Sequence, residues 1–238
     1  MIIQSKSYSS PAVYDGYRPP IPTGHVATWL LRGPLRSGLL SLDKQALAYA
    51  SGTVTIADEY YDFLGDSGYV RTPILDDDEI TIAVLARSMA TNTGNDRPYF
   101  AGNTMNANGQ GAAISVGSTG AVKGVVGITN GTPSNVQPII SANPASWGIY
   151  FLSCGLTSCR FENVRTGEFT EAAYGGGYTR NLSTDVFRVG DIPLAGAPQG
   201  ESQCAFFSVW NRADLSTAEK TAWATMAADY GYSQLPGW

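Results

Sequence analysis

The stretch that decides the fold lies near the C-terminus and reads Cys204-Ala-Phe-Phe-Ser-Val-Trp-Asn-Arg-Ala-Asp-Leu-Ser-Thr-Ala-Glu219. Its first half is an apolar run of strand length that ends at Trp210. Ser216 and Glu219 form a Ser-x-x-Glu capping box, in which the serine hydroxyl accepts the Glu219 backbone N–H and the glutamate side chain reaches back. Residues 217–229 have the composition of a helix. The chain is therefore predicted to finish with a strand, a tight corner and one capped helix.

Upstream of that stretch, the sequence is a series of short apolar runs separated by glycine-rich turns. In the longest core candidate, residues 79–86, alternate positions from Ile80 to Ala86 share one face, while Ala83 and Leu85 occupy the other. Because both faces are apolar, this strand is expected to be central and covered on both sides. Further strands are predicted at 26–31, 53–56, 63–72, 99–102, 112–116, 122–128, 137–141, 147–153, 160–164, 169–173, 187–190 and 204–210. The pattern favours an all-β, antiparallel two-sheet sandwich with one short C-terminal α-helix.

The C-terminal segment closely resembles the ending of concanavalin A-like jelly-roll domains (LamG- and pentraxin-like), whose last strand runs into W/Y-N-R-A-L-S/T-x-x-E. Two further segments, 63–72 and 187–191, resemble strands of the same family. The resemblance spans residues 25–233, and its specific motifs lie mainly in the second half. It implies a jelly-roll fold and a role in binding or adhesion, without implying a reaction.

The composition of the chain limits the classes of partner that it can bind. The chain is 43% hydrophobic and 15% charged, so it can bury a sizeable core. Its net charge is −5 and it has no run of Lys or Arg, so it lacks the electrostatic footprint of nucleic-acid or anionic-membrane binding. It has no apolar stretch of membrane-spanning length, and the N-terminus has no apolar signal-peptide core. We expect a protein made in a host cytoplasm and released by lysis, which fits a bacteriophage virion protein.

Residues 1–24 differ from the remainder of the chain. They lack any strand or helix periodicity and combine prolines with aromatic residues: Tyr8, Tyr14, Tyr17, Pro19 and Pro20. This pattern predicts an extended arm that docks on a neighbouring subunit or on other virion proteins. The simpler alternative is a flexible tail. Residues 25–238 are then the jelly-roll domain.

Three polar loops carry the groups that bind sugars, namely aromatic faces and planar amide, carboxylate or guanidinium groups. The candidate ligand-binding residues are Asp96, Arg97, Asn103, Asn106, Asn108, Tyr174, Tyr178 and Arg180. The alternative is that these side chains only satisfy turns or form subunit contacts. We expect host-surface glycan as the ligand.

Metal and thiol chemistry have weak signals. The acidic cluster 76–79 predicts a solvated turn at a strand edge, with a calcium site as the alternative, but no calcium ligand set can be assigned. No other cofactor is expected. The three cysteines, Cys154, Cys159 and Cys204, are an odd number and lack the spacing of a zinc site. They are expected to be buried thiols.

Catalytic motifs are absent from the sequence. His25 is the sole histidine, and there is no nucleophile elbow, no phosphate loop and no Glu-x-Asp-x-Glu strand like that of the glucanase relatives. We therefore expect a non-enzyme. Two carboxylates from different strands could still form a catalytic pair, and the candidates are Asp96, Glu162, Glu168 and Glu171.

Together these observations predict a non-catalytic phage virion protein of the tail fibre, tail tip or baseplate, with a lectin-like domain that recognises host glycan. The first alternative is a purely structural virion protein of the capsid decoration or collar. The second is a divergent glycan hydrolase or lyase. A homotrimer is expected by analogy with jelly-roll fibre proteins.

Overall fold

The structure, a computed structural model, describes residues 20–32, 41–42, 46–57, 59–104, 109–193, 196–229 and 235. The first strands are β1 (His25–Leu30), β2 (Tyr49–Ile56), β3 (Tyr61–Arg71), β4 (Ile80–Ser88), β5 (Tyr99–Gly102), β6 (Ala112–Val116), β7 (Val122–Thr129) and β8 (Pro133–Val136). The later elements are β9 (Ile139–Ile140), β10 (Gly148–Cys154), β11 (Ser158–Asn163), β12 (Glu168–Ala173), β13 (Thr179–Arg180), β14 (Arg188–Val189), β15 (Ser202–Trp210) and helix α1 (Thr217–Asp229).

The strands pair antiparallel in the order β12-β11-β10-β4-β15-β3-β14-β5-β6-β7-β13, with β1 on β15, β2 on β3, and β8 and β9 on β7. The long strand β3 pairs with β15 near its start and with β14 at its end, so it passes from one layer to the other. The main core contains side chains from β4, β10 and β15 together with side chains from β5, β6 and β7. The two halves of the path therefore face each other as an antiparallel β-sandwich, as the sequence predicts.

Strand β4 has the two apolar faces that its alternation predicts. Ile82 and Val84 lie fully buried in the main core between the layers. Ala83 and Leu85, equally buried, belong to a second core on the outer side of the same layer. This prediction is confirmed, and the reason is that helix α1 covers the face that would otherwise be exposed.

Helix α1 packs on that outer face through Trp223. The indole is fully buried, with its ring centroid 5.3 Å from Phe151 and 5.9 Å from Phe206. Its Nε1–H donates to Ser208 Oγ at 2.9 Å, so the buried polar atom is satisfied. Lys220 forms a second anchor through a buried ion pair with Glu162 of β11. Aromatic burial and one ion pair thus fix the helix against β10, β11 and β15.

The capping box at the start of α1 is confirmed. The Glu219 backbone N–H donates to Ser216 Oγ at 3.2 Å, and the Ser216 backbone N–H donates to Glu219 Oε2 at 2.7 Å. Arg212 adds an ion pair to the same carboxylate, with Nη1 3.0 Å from Oε1. The corner between β15 and α1 is therefore fixed by side-chain contacts that the sequence predicts.

The predicted strand 137–141 is found only as the two-residue β9, and β8, which directly precedes it, was not predicted. β8 and β9 pair with β7 in a single register, since Val136 lies opposite Val126 and Ile139 opposite Lys123. Between them stands Pro138, which has no N–H to donate and interrupts the ladder. The short strand β13 was not predicted at all.

Of the predicted arm, only residues 20–24 lie within the described part of the chain. Ile21 is fully buried in the second core, and its carbonyl oxygen accepts the Trp210 Nε1–H at 3.2 Å. Pro20 is partly buried, whereas Tyr8, Tyr14, Tyr17 and Pro19 lie outside the described residues. Contacts with the sandwich therefore begin before residue 25.

Candidate ligand-binding surface

The predicted site residues Asp96 and Arg97 are used to hold their own loop. The Asp96 carboxylate accepts the Thr91 backbone N–H at 2.8 Å and also the Thr91 hydroxyl. These hydrogen bonds lower the pKa of Asp96 below its ordinary value. Arg97 Nε donates to the Gly94 carbonyl oxygen. Asp96 is exposed and Arg97 partly so, but their described contacts shape the loop.

Asn103 lies in the interior, contrary to the prediction of a loop residue open to ligand. Its Oδ1 accepts the Ala112 backbone N–H at 2.8 Å, and its Nδ2 donates to the Asp185 carbonyl oxygen at 3.4 Å. The side chain therefore satisfies backbone groups at the end of β5. Asn106 and Asn108 lie outside the described residues.

Tyr174 and Arg180 come together, but inside the protein. Arg180 Nη2 lies 2.6 Å from Asp76 Oδ1, with the two side chains 1% and 0% exposed. Burial raises the pKa of Tyr174 far above its ordinary range. Tyr178, between them in the chain, is partly buried and packs on the main core. Burial thus removes Tyr174 and Arg180 from a solvent-facing surface.

The acidic cluster is divided by the fold. Asp76 is the buried partner of Arg180 and also accepts the Ser183 backbone N–H at 3.1 Å, whereas Asp77, Asp78 and Glu79 are exposed. The expectation of a solvated turn is therefore wrong for Asp76, because its negative charge balances the buried Arg180 guanidinium. Within the described residues, no three His, Cys, Asp or Glu side chains gather as metal ligands.

The carboxylates considered for glycoside hydrolysis are held by cations or turns. Glu162 is paired with both Lys220 and Arg160, and Arg160 Nη1 lies 2.8 Å from Glu171 Oε1. Glu168 Oε2 accepts the Thr166 hydroxyl at 3.3 Å. Arg160 therefore joins the Glu162 and Glu171 carboxylates, and each of the three glutamates already has a side-chain partner.

A different set of side chains forms a continuous row on the outer face of the sheet. In register across β2, β3 and β14, Tyr49 lies opposite Arg71, and Arg71 opposite Arg188. Their neighbours Val70 and Val189 point into the main core. Because successive strand residues alternate between faces, Tyr49, Arg71 and Arg188 point together away from the core.

Asp185 connects the two arginines of this row. Its Oδ1 lies 3.5 Å from Arg71 Nη2, and its Oδ2 lies 3.3 Å from Arg188 Nη2. The guanidinium carbon of Arg188 lies 4.4 Å from the centroid of the Tyr69 ring, a cation–π contact. The guanidinium groups are therefore held in place by a shared carboxylate and a stacked ring.

The outer part of this row is open to solvent. The Tyr49 residue is 62% exposed, the Arg71 side chain 55%, and Leu47, two positions before Tyr49, 46%. We call this region the Tyr49 surface, and it comprises Leu47, Tyr49, Tyr69, Arg71, Asp185 and Arg188. An exposed ring beside oriented planar donors and an acceptor is the combination that recognises sugars.

Sequence reasoning did not find the Tyr49 surface. Alternation along β3 was visible in Gly68-Tyr69-Val70-Arg71, and it places Tyr69 and Arg71 on one face. The missing step was the pairing of β14 with β3, two strands that are more than a hundred residues apart in the chain. The sequence held one hint of this pairing, since segments 63–72 and 187–191 both resemble strands of the same family.

Comparison with solved structures places the sandwich beside the receptor-binding domains of botulinum neurotoxins. The serotype D binding domain has a TM-score of 0.62 at 8% identity, covering 85% of this chain and 52% of that chain. The binding domain of neurotoxin DC, solved in complex with rat synaptotagmin II, has a TM-score of 0.60 at 10% identity. The match covers 89% of this chain and 53% of that chain. A third structure, from work on the dependence of botulinum neurotoxin type C cell entry on two ganglioside molecules, has a TM-score of 0.60 at 11% identity. The match covers 88% of this chain and 52% of that chain.

At these identities the likeness supports the fold alone, and this chain spans about half the length of the domains it matches. No protein-family model matches the sequence. No curated protein matches it either. In the described part of the chain, no helix is long and apolar enough to cross a membrane.

Proposed function

We propose that this protein is a non-catalytic glycan-binding domain and that the Tyr49 surface is its binding site. The carrying observation is the exposed Tyr49 ring beside the Arg71–Asp185–Arg188 arrangement. A sugar ring would stack on Tyr49 through its C–H face, while its hydroxyl groups bind Arg71 and Asp185. The neurotoxin domains of similar fold support a binding role, since they are receptor-binding domains.

Preorganisation is the physical reason to favour this surface over the predicted loops. Arg188 is already stacked on Tyr69 and paired with Asp185, so little side-chain entropy is lost when a ligand binds. Of the predicted loop residues, by contrast, Asn103, Tyr174 and Arg180 are buried. An exposed aromatic ring beside oriented planar groups is therefore the better sugar site.

The biological setting that we propose is a phage virion, with this domain in the tail fibre, tail tip or baseplate and the N-terminal arm joined to other virion proteins. The low charge density and the Tyr- and Pro-rich residues 1–19 support this setting. Homotrimerisation is part of the same proposal. Mass spectrometry of purified particles, with immunogold labelling of the tail, tests the compartment, and absence from particles would contradict it.

Binding is tested with a glycan array followed by calorimetry on the best ligand. Tyr49→Ala is expected to weaken binding at least about tenfold, which corresponds to about 1.4 kcal/mol. Arg71→Gln should weaken it similarly. Phe169→Ala is the matched aromatic control, because Phe169 is 55% exposed but lies on β12 in the other layer. Arg165→Gln, in the turn between β11 and β12, is the matched arginine control.

An equal loss in Tyr49→Ala and Phe169→Ala would show that the Tyr49 surface is not the site. Absence of binding to every glycan tested would remove the proposed function itself and favour the purely structural virion role. Release of reducing sugar from host polysaccharide by the purified protein would show that it is an enzyme.

A further inference from the structure

Two cysteines are placed side by side by the β10–β11 hairpin. Cys154 and Cys159 are directly opposite each other in the register of this antiparallel pair. Both side chains point into the main core, where Cys154 is 0% and Cys159 2% exposed. They are therefore cross-strand neighbours on one face of one sheet.

The hydrogen-bond pattern of the hairpin defines the kind of pair that they form. The Gly155 backbone N–H donates to the Ser158 carbonyl oxygen at 2.9 Å, so Gly155 and Ser158 are a hydrogen-bonded pair. The next pair, Cys154 and Cys159, is consequently a non-hydrogen-bonded pair, in which the Cα atoms are about 4.5 Å apart. Disulfides require Cα atoms roughly 4.4–6.8 Å apart. This position in the ladder is therefore compatible with a disulfide without movement of the backbone.

We propose that Cys154 and Cys159 are a disulfide-forming pair, oxidised when the chain folds in, or is transferred to, an oxidising compartment. The oxidant is a disulfide donor, either a protein or a low-molecular-weight disulfide. The thiolate of Cys159 attacks the donor disulfide and releases one donor thiolate. The thiolate of Cys154 then attacks the mixed disulfide and releases the second. One S–S bond forms, two protons pass to solvent, and the donor takes up two electrons.

Cys204 is excluded from this chemistry by its place in the sheet. Along β4, Cys154 lies opposite Ile80 and Cys204 opposite Ala86. Six residues of strand separate these two positions, which is about 20 Å. Cys204 is therefore a built-in control that remains a thiol in the same molecule.

Burial makes the reaction slow once the protein has folded. Desolvation raises the pKa of Cys154 to about 11 and that of Cys159 to about 12, so little thiolate is present at neutral pH. Oxidation accordingly occurs while the hairpin forms or opens. Once made, the disulfide would be protected from reductants by the same burial. It would cross-link the two strands of a hairpin whose turn is also joined to the segment after β12, because the Tyr174 backbone N–H donates to the Thr157 carbonyl oxygen at 2.9 Å.

The full chain is expressed both in a reducing cytoplasm and in the bacterial periplasm. It is then unfolded in a denaturant that contains iodoacetamide, which labels free thiols, and is digested with trypsin. Cys154 and Cys159 fall in peptide 124–160, and Cys204 falls in peptide 189–212. From the cytoplasm, all three cysteines should carry the label. From the periplasm, peptide 124–160 should be unlabelled and lighter by two hydrogen atoms, while peptide 189–212 keeps its label.

Two variants make the result decisive. In Cys204→Ala, the periplasmic protein should still contain the unlabelled, lighter peptide 124–160. In Cys154→Ala, Cys159 should take the label, because its partner is missing. Full labelling of soluble periplasmic wild-type protein would overturn the proposal, and so would a cross-link that joins peptide 189–212 to peptide 124–160. Neither outcome depends on whether the protein binds glycan.

Discussion

At the scale of single residues, the pair of Asp76 and Arg180 determines what the loops between strands can do. Arg180 is almost completely buried, and its Nε and Nη1 have no hydrogen-bond partner among the described residues. The charge of this guanidinium is therefore balanced mainly by one carboxylate, whose second oxygen holds the Ser183 backbone N–H. A side chain that reads as a surface ligand in the sequence is in fact an interior cation.

Replacing Asp76 with Asn should destabilise the protein by about 3–5 kcal/mol, because it leaves a buried charge without its counter-charge. Urea unfolding measures this as a lower free energy of unfolding. Asp78→Asn is the matched control, since Asp78 is exposed two positions away, and it should change stability by less than about 0.5 kcal/mol. Similar values for the two variants would contradict the importance of the buried pair.

At the scale of elements, helix α1 completes the sandwich by covering one sheet face, and its start is fixed by the capping box. Ser216→Ala should lower the free energy of unfolding by about 1 kcal/mol, because the Glu219 backbone N–H loses its acceptor. Thr217→Ala provides the comparison, since Thr217 is the exposed first residue of the helix. Thermal or urea unfolding that ranks Thr217→Ala as the more harmful change would argue against the cap.

The same cap predicts a pH dependence. The pKa of Glu219 lies below its ordinary value of 4.5, mainly because the Ser216 backbone N–H, and then the Ser216 hydroxyl and Arg212, stabilise its charged form. A depressed folded-state pKa contributes stability that is present above the unfolded pKa and is lost as the pH falls through the folded value. The stability difference between wild type and Glu219→Gln should therefore be largest near neutral pH and shrink below about pH 4.

This dependence is measured by urea unfolding of both proteins across that pH range. A difference that stays constant from neutral to acidic pH would mean that the Glu219 charge has no part in the cap. Arg212→Gln should reduce the pH-dependent part while leaving the Ser216 hydrogen bonds in place.

At the scale of the whole molecule, the boundary between arm and domain can be tested by truncation. Removal of residues 1–19 should leave a domain of nearly unchanged stability, since this Pro- and Tyr-rich segment lacks any strand or helix periodicity. Removal of residues 1–24 should cost about 2–5 kcal/mol, because the fully buried Ile21 side chain is lost and Trp210 loses its acceptor. Urea unfolding of the two truncated proteins measures the difference.

Assembly separates the two roles of the N-terminal segment. If residues 1–19 are a docking arm, their removal should abolish incorporation into the parent particle while the domain stays folded. Normal incorporation of that truncated protein would contradict the arm. Equal stability of the two truncations would contradict the role of Ile21 in the core.

Local pattern was sufficient for the features that depend on neighbouring residues. The spacing of Ser216 and Glu219 predicted the cap and helix α1 with the bounds that the structure has, because a capping box is complete within four residues. Alternation in β4 predicted a strand apolar on both faces, since side-chain direction has period two whatever the strand pairs with. The antiparallel sandwich followed from the same regularities.

The candidate site and the interior ion pair were decided by tertiary structure. Arg71 and Arg188 meet because β14 pairs with β3, and Arg180 meets Asp76 across 104 residues. Strand order and burial depend on how the layers stack, and a polar loop has the same composition whether it faces solvent or folds inward over a charge. The sequence alone therefore determined the class of fold and its terminal helix, whereas only the stacking of the layers decided which side chains face solvent together, because a binding surface is made from strands that are distant in the chain.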